Sequence, residues 1–320
     1  MTEQDLAISS PLWRDRVGNL RDWVWHGWQT RYSYLRPQGQ SLNQTETPFL
    51  LIHGFGASIG HWRNNIPELG KTASVYALDM LGFGDSEKAI ASYGVALWVE
   101  QIFDFWQTFI GQPTILVGNS IGSLVCLAAA IQHPEMVAGL VTLNLPDPSV
   151  REEAIPAFIR PAIAAIEGVF ASPLLLKPLF YFVRRPPVIR PWAKLAYANP
   201  DAVDDDLVDI LSRPAYDRGA DRVFCRLFKA MTSPHFGPSV KAALPQLSVP
   251  MLLIWGKQDR MVPPGLAPQF AQYNPKIKLV ALDRAGHCPH DECPEQVNPL
   301  ILQWVADWSE DRHKATAEVG

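Results

Sequence analysis

One serine, Ser120, stands between two glycines at the point where an apolar strand pattern changes into an apolar helix pattern. Residues 113–117 form a short β-branched run typical of a strand buried in a parallel sheet, and residues 121–131 are rich in Ala and Leu, which favour a helix. A turn this tight needs strained backbone angles at the serine, and Gly118 and Gly122 leave room for the two elements to approach each other. The pattern therefore predicts a nucleophile elbow, although a glycine-rich strand-to-helix loop would also contain it.

The acid that would support such a serine is expected further along the chain. A serine hydroxyl needs a base to attack an ester at neutral pH, and a third group must orient that base. On a strand–elbow–helix scaffold the order is serine, acid, histidine. Residues 249–256 predict another buried strand, and Asp259 lies in the loop after it. Asp259 is the predicted acid; a helix-capping role for it, and Asp147 after the strand pattern at 139–145, remain alternatives.

The predicted general base follows the last strand pattern, residues 277–282. His287 comes directly after a glycine in the loop beyond that strand. His290 is a competitor, for which a hydrogen-bonding role in the loop is the more ordinary interpretation. Cys288 offers a second nucleophile, but nothing around it in the sequence would lower the pKa of its thiol, so we expect a buried packing role.

A glycine-rich turn supplies the fourth component of the predicted site. Residues 47–52 predict a strand that ends in His-Gly-Phe-Gly at 53–56. Such a turn at the carboxyl edge of a sheet lets backbone N–H groups point at a developing negative charge. We expect the N–H groups of Phe55 and Ile121 to form an oxyanion hole, and His53 to brace the loop.

These four features, in this order, predict an α/β-hydrolase fold with a mostly parallel eight-stranded sheet flanked by helices. Other patterns agree: a strand at 74–79, helices at 95–110 and 293–308, and an N-terminal hairpin at 23–34 with Gly27 near its turn. The core domain is predicted to comprise residues 1–145 and 249–320. Residues 146–248 are predicted to be an inserted helical lid and are called the lid segment below.

Charge and cysteine content argue against several classes of protein. A net charge of −4 without a basic cluster argues against a nucleic-acid partner. Four scattered cysteines give neither a disulfide framework nor zinc-ligand spacing, so we expect a reducing, cytoplasmic compartment, no metal and no cofactor. The first five residues contain two acids and no apolar core, so no signal peptide is expected.

The lid segment is expected to govern the choice of substrate. Residues 155–183 are dense in apolar side chains, but five prolines between 161 and 187, together with Glu167 and Lys177, exclude one membrane-spanning helix. Two interpretations remain: a lid core packed over the sheet, or a partly exposed surface that docks on a membrane or lines an apolar tunnel. Three arginines beside it would suit anionic headgroups but also fit an ordinary solvated face: Arg184, Arg185 and Arg190. Five aspartates favour the capping and solvation of a lid helix over a metal site: Asp201, Asp204, Asp205, Asp206 and Asp209.

Several stretches point together to one family, at residues 53–59, 61–66, 75–84, 118–124, 285–292, 294–295 and 297–298. They resemble the chlorophyll dephytylase and pheophytinase group of plants and cyanobacteria. The most specific is Gly-His-Cys-Pro-His-Asp-Glu at 286–292, because generic members of the fold vary freely after the histidine. Ser123 adds to the resemblance, since the related carbon–carbon bond hydrolases usually have glycine there.

This resemblance covers about residues 23–308 and is weakest in the lid segment. It implies a carboxylic ester hydrolase that cleaves the phytyl ester of chlorophyll or pheophytin, with Ser120, Asp259 and His287 matching the family's triad. It also implies peripheral contact with the thylakoid membrane. Other interpretations stay open: another hydrolase of this fold acting on a hydrophobic ester or a carbon–carbon bond, a non-catalytic tetrapyrrole-binding accessory protein, and a membrane-peripheral scaffold.

Overall fold

The computed structural model describes residues 13–37, 46–150, 172–233 and 235–317. Eight strands among these residues form one sheet with the order β1-β2-β4-β3-β5-β6-β7-β8. The strands are β1 (Asn19–Trp25), β2 (Trp28–Leu35), β3 (Phe49–Ile52), β4 (Val75–Leu78), β5 (Thr114–Asn119), β6 (Val137–Leu143), β7 (Met251–Gly256) and β8 (Ile277–Leu282). β1 pairs with β2, and β2 with β4, in antiparallel fashion, while every other neighbouring pair is parallel. The predicted fold class is confirmed.

Eleven α-helices among the described residues connect the strands along the chain or follow the last of them. They are α1 (Ile66–Leu69), α2 (Val95–Phe109), α3 (Ile121–Gln132), α4 (Pro173–Val183), α5 (Pro186–Ala196), α6 (Asp205–Ser212), α7 (Ala220–Met231), α8 (Val240–Ala243), α9 (Leu266–Ala271), α10 (Pro289–Glu292) and α11 (Pro294–Ala317). Within this part of the chain, no helix has the length and apolar character needed to cross a bilayer.

Two apolar layers cover the two faces of the sheet. Alternate residues of β5 show the division, because successive side chains of a strand point to opposite faces. Leu116 belongs to the layer that contains Trp98 of α2, whereas Ile115 belongs to the layer that contains Trp304 of α11. β5 is buried along its whole length, which explains why its sequence is continuously apolar rather than alternating.

The carboxyl ends of the parallel strands meet at one edge of the sheet, where ligands bind in open α/β folds. The loop after β3 carries Phe55, and Ser120 follows β5. Asn144 follows β6, Asp259 follows β7, and His287 follows β8. The topology therefore gathers residues that are far apart in sequence along one rim.

Helices α4 to α7 lie in the lid segment, between β6 and β7. Leu176 and Phe180 of α4 are buried, whereas Leu174 on the same helix is 86% exposed and Trp192 of α5 is 65% exposed. Asp204 caps α6, its carboxylate accepting the Leu207 N–H at 2.7 Å, as the sequence predicts for this acidic stretch. The apolar residues at 155–170 that the sequence assigns to the lid lie outside the described residues.

Candidate active site

Ser120 occupies a strained turn between β5 and α3. Its φ of 53° and ψ of −121° lie in a region that non-glycine residues rarely adopt. A Cβ atom on Gly118 would lie 2.4 Å from the carbonyl oxygen of Gly122, and one on Gly122 would lie 2.2 Å from the carbonyl oxygen of Ile52. Both glycines are therefore required by close backbone contacts, and the backbone N–H of Ser120 donates to the Leu143 carbonyl of β6 at 2.9 Å.

His287 and Asp259 form a hydrogen-bonded pair at the same rim. His287 Nδ1 lies 2.8 Å from Asp259 Oδ2, and the other carboxylate oxygen accepts the backbone N–H groups of Met261 and Val262 at 2.7 and 3.0 Å. Burial alone would raise the pKa of Asp259, but the hydrogen bond and charge of His287 and the hydrogen bond from Asn144 outweigh it and lower that pKa. The ionised carboxylate places the imidazole proton on Nδ1 and leaves Nε2 as the basic nitrogen.

Two asparagines that sequence reasoning missed hold this pair in place. Asn144 donates to Asp259 Oδ2 at 2.5 Å and to the Gly286 carbonyl at 3.2 Å. Asn119, the residue before Ser120, donates to the His287 carbonyl at 3.0 Å. A signal was present in both cases, because each is a polar residue at the carboxyl end of a buried strand; Asn144 also adopts a φ of 52°.

The predicted oxyanion-hole residues lie beside the elbow. Phe55 and Ile121 line the same cavity as Ser120. The turn that carries Phe55 lies against the elbow, since a Cβ on Gly54 would be 3.4 Å from the Ser120 Cβ. The N–H of Ile121 belongs to the first turn of α3, where helix geometry provides no intrahelical acceptor. Both residues therefore lie beside Ser120, and their role as oxyanion-hole donors stays a prediction.

His53 has the bracing environment expected of it. Its Nδ1 donates to the Gly54 carbonyl at 2.7 Å, and its Nε2 accepts the Met80 N–H at 3.1 Å. Burial lowers the pKa of His53 to about 4, so the ring is neutral at pH 7. Its two hydrogen bonds tie the loop after β3 to the end of β4.

The rival residues occupy other places. Asp147 lines the cavity, but its Oδ1 accepts from the backbone and hydroxyl of Ser149. His290 is fully buried with its ring centroid 4.2 Å from that of Trp62, and burial lowers its pKa to about 3. Cys288 is buried, which raises the pKa of its thiol well above the ordinary value and disfavours a thiolate. Of the weighed alternatives, the structure brings His287 and Asp259 together.

Ser120 and His287 open onto a cavity of about 410 Å³, within the range of small-molecule sites. The core and the lid segment both contribute walls, the latter through Ala193, Tyr197 and Met231. A second cavity of about 100 Å³ shares two wall residues with the first, Phe55 and Leu211. Aromatic and aliphatic side chains line most of this second cavity: Phe83, Phe180, Val223, Phe224 and Leu227.

Among the described residues, one group of His and acidic side chains comes close enough to share a metal ion. His26, Glu100 and Asp104 bring ligand atoms within 4.8 Å of one another at the hairpin turn and α2. None of the three lines the Ser120 cavity. Asp104 also accepts a hydrogen bond from the Trp25 indole at 2.8 Å, which accounts for its position. The sequence-based expectation that the protein uses no metal stays a prediction.

The strand order, the elbow and the rim of loop residues define the architecture of an α/β-hydrolase. The chain belongs to the α/β hydrolase family: the family model described as "Alpha/beta hydrolase family" matches residues 49–300. It is 28% identical over 269 residues to a 2-hydroxymuconate semialdehyde hydrolase of Pseudomonas sp. (strain CF600), covering 81% of this chain and 87% of that protein.

The chain is also similar to the chloroplastic pheophytinase of Arabidopsis thaliana. The two are 26% identical over 301 residues, which cover 80% of this chain and 60% of that protein. Among solved structures, a meta-cleavage product hydrolase from Pseudomonas fluorescens IP01 has the same fold with a TM-score of 0.70 at 20% identity, covering 90% of this chain and 97% of that one.

Proposed function

We propose that the protein is a serine hydrolase that cleaves a carboxylic ester through an acyl-enzyme, with Ser120, Asp259 and His287 as its catalytic triad. The single observation that carries this proposal is the 2.8 Å contact between His287 Nδ1 and Asp259 Oδ2, at the rim where Ser120 occupies the strained elbow. Strain of this kind persists where the surrounding structure imposes it, and it clusters at active sites.

In the proposed mechanism, His287 Nε2 takes the proton of the Ser120 hydroxyl as Oγ attacks the ester carbonyl. The resulting oxyanion accepts hydrogen bonds from the N–H groups of Phe55 and Ile121, each such donor contributing about 3 kcal/mol to transition-state stabilisation. His287 then protonates the departing alcohol, and water activated by the same nitrogen releases the acid. Asp259 stabilises the imidazolium and fixes its tautomer.

The proposed substrate is the phytyl ester of chlorophyll or pheophytin. The resemblance of residues 286–292 and of Ser123 to the dephytylase group supports this choice, as does the similarity to a protein named pheophytinase. The apolar cavity and its neighbour suit a long isoprenoid chain, whose burial contributes about 0.8 kcal/mol for each CH₂ group. The pair of cavities would receive the chain end of the ester rather than a small polar group.

Peripheral contact with the thylakoid membrane through the lid segment belongs to the same proposal. Four large apolar side chains of α4 and α5 are at least half exposed: Leu174, Leu175, Phe182 and Trp192. Arg190 pairs with Asp205, and Arg184 lies over the rings of Tyr181 and Tyr216, so both arginines already have protein partners. We therefore base membrane contact on the apolar side chains rather than on attraction between these arginines and anionic headgroups. Flotation with liposomes of thylakoid lipids should be lost in a Leu174→Glu, Trp192→Glu variant.

A second candidate function is hydrolysis of a carbon–carbon bond. The 28% identity to a relative named 2-hydroxymuconate semialdehyde hydrolase favours it. Ser123 stands against it, because the carbon–carbon hydrolases usually have glycine at this position. Here the buried hydroxyl of Ser123 donates to the Gly118 carbonyl at 2.7 Å and accepts the Leu143 N–H at 3.1 Å.

One experiment separates these candidates. The purified protein is incubated with chlorophyll a, pheophytin a, short p-nitrophenyl esters and a dienone acid, and the products are separated by chromatography. We expect phytol from one of the two pigments, and no phytol with Ser120→Ala. Turnover of the dienone acid alone would replace the ester proposal with the second candidate. If Ser120→Ala released no phytol yet replaced the wild-type protein in cells without loss of its role there, a non-catalytic tetrapyrrole carrier would be the better description.

A further inference from the structure

The lid segment is fastened to the loop of the proposed general base near its middle, at residues 196–199, where α5 ends. The backbone N–H of His287 donates to the carbonyl of Ala196, the last residue of α5, at 2.6 Å. The two backbones approach closely here, since a Cβ on Gly286 would lie 2.4 Å from that same carbonyl oxygen. With Asn119 holding the His287 carbonyl, one backbone group of the histidine is bound by the lid and the other by the elbow.

Glu292 bridges the same two segments from the other side. Its Oε2 accepts the Gly286 N–H at 2.6 Å, and its Oε1 accepts the Asn199 N–H at 2.5 Å. The loop that carries His287, residues 283–288, is called the histidine loop below. One carboxylate therefore accepts a hydrogen bond from the histidine loop and another from the lid segment. A carboxylate is needed for this bridge because both of its oxygens act as acceptors.

Tyr197 anchors the lid segment, just after α5, to a buried polar network. Its hydroxyl donates to Asp291 Oδ2 at 2.8 Å and accepts from His61 Nε2 at 2.9 Å. Asp291 in turn pairs with Arg63 at 2.7 Å, and all four side chains are almost fully buried. Burial lowers the pKa of His61, so its ring is neutral. Because the Tyr197 hydroxyl donates its own hydrogen to Asp291, its oxygen is free to accept a hydrogen bond from the His61 Nε2–H. Replacing any member would leave a buried donor or acceptor without a partner.

We propose that Tyr197 and Glu292 are positioning residues, which set the place of His287 by docking the C-terminal end of α5 onto the histidine loop. This explains why the run at 286–292 is specified residue by residue: Gly286 permits the close contact, while Asp291 and Glu292 hold the lid. It also means that residues 196–199 stay fixed while other parts of the lid segment move to admit a large substrate. The inference rests on the proposed serine-hydrolase chemistry but not on the identity of the ester.

The test compares Tyr197→Phe and Glu292→Gln with wild type and with a matched control, Tyr181→Phe. Tyr181 is another lid tyrosine, but it is 44% exposed and its ring contact with Arg184 survives the loss of the hydroxyl. Two rates are measured on protein shown to be folded by circular dichroism: covalent labelling by a small fluorophosphonate, and turnover of p-nitrophenyl acetate. Both reactions require Ser120 and its base, and neither probe is large enough to fill the Ser120 cavity and the second cavity beside it.

We expect labelling and kcat to fall about tenfold or more in both variants, with KM little changed, because a small displacement of the base is costly to a proton-transfer step. Tyr181→Phe should behave as wild type. Wild-type labelling rates in folded Tyr197→Phe and Glu292→Gln would overturn the inference, as would a defect confined to the KM of p-nitrophenyl acetate, which would make Tyr197 a substrate-contacting wall. If Tyr197→Phe does not fold, Glu292→Gln alone decides. Wild-type protein that resists the fluorophosphonate would overturn the proposed function itself, a result distinct from equal labelling of all variants.

Discussion

Asn144 offers a sharp test of how the proposed acid is held, because its amide donates to the carboxylate of Asp259 from outside the triad. Replacing Asn144 with alanine removes that hydrogen bond while Asp259 keeps the N–H groups of Met261 and Val262 and its contact with His287. A hydrogen bond to a charged group is worth about 1.5–3 kcal/mol. If that energy is lost from the transition state, kcat/KM should fall about 10- to 100-fold, since each 1.36 kcal/mol is a factor of ten. Asp259→Asn should be far worse, with a loss of about 10⁴-fold, because it favours the wrong histidine tautomer.

Stability should change as well, so a control must separate the two effects. Asn144→Ala also removes the partners of the Gly286 carbonyl and the Gly256 N–H, and it places alanine at a φ of 52°. Asn274 is a matched control, since its amide donates to two carbonyls at 2.9 Å and its oxygen accepts the Lys276 N–H at 3.0 Å, before β8. Asn274→Ala should lower the melting temperature yet leave kcat/KM unchanged.

The assay is p-nitrophenyl ester hydrolysis at a temperature where circular dichroism shows each variant to be folded. If folded Asn144→Ala retained kcat/KM within about twofold of wild type, the orientation of Asp259 would not depend on Asn144, and the reasoning would fail.

Other predictions concern packing, pH and thiol chemistry. Gly122→Ala should abolish soluble folded protein, because its Cβ would lie 2.2 Å from the Ile52 carbonyl, whereas Gly265→Ala, with nothing within 4 Å, should express and melt like wild type. Because the pKa of His290 is lowered to about 3 in the folded state, its contribution to stability is complete above the unfolded pKa of about 6.5 and is lost as pH falls towards 3. Wild type should therefore lose about 2–3 kcal/mol more of its free energy of unfolding between pH 7.5 and pH 4.5 than His290→Phe does, as measured by urea titration at each pH. An equal loss in the two proteins would contradict this. The four cysteines, Cys126, Cys225, Cys288 and Cys293, are all buried, so a thiol reagent such as DTNB should react with the native protein only as it unfolds. Rapid reaction of one thiol in the native state would show that its burial is incomplete.

Local patterns in the sequence predicted the elements of the fold closely. The last strand was expected at residues 277–282 and lies at Ile277–Leu282, and the helix expected at 95–110 lies at Val95–Phe109. Such agreement follows because a buried strand or an amphipathic helix is encoded by the spacing of neighbouring apolar residues. Closing-helix bounds were less accurate: α11 extends to Ala317, whereas the pattern ended at 308.

The residues that contact the candidate site were harder to predict than the loops that carry it. The loop positions of Ser120, Asp259 and His287 follow from strands that can be recognised one at a time. Asn144 contacts a carboxylate 115 positions away, and Tyr197 contacts an aspartate 94 positions away. Neither contact has a local signature, because each depends on how distant loops meet at the rim of the sheet. The resemblance marked residues 286–292 as specific without giving a physical reason, and the proposed reason, contact with residues 196–199, depends on the three-dimensional structure.

The attachment of residues 196–199 to the histidine loop bears on how this protein could be re-engineered. In many proteins an inserted segment can be exchanged between relatives as a module, because few of its contacts cross the boundary. Here a transplanted segment would bring a new neighbour for the His287 N–H. It would also change the partners of the Asp291 and Glu292 carboxylates, which are now the Tyr197 hydroxyl and the Asn199 N–H. A chimaera that aims to change substrate preference should therefore exchange the histidine loop together with the segment, or else keep residues 196–199 and replace only the helices before and after them.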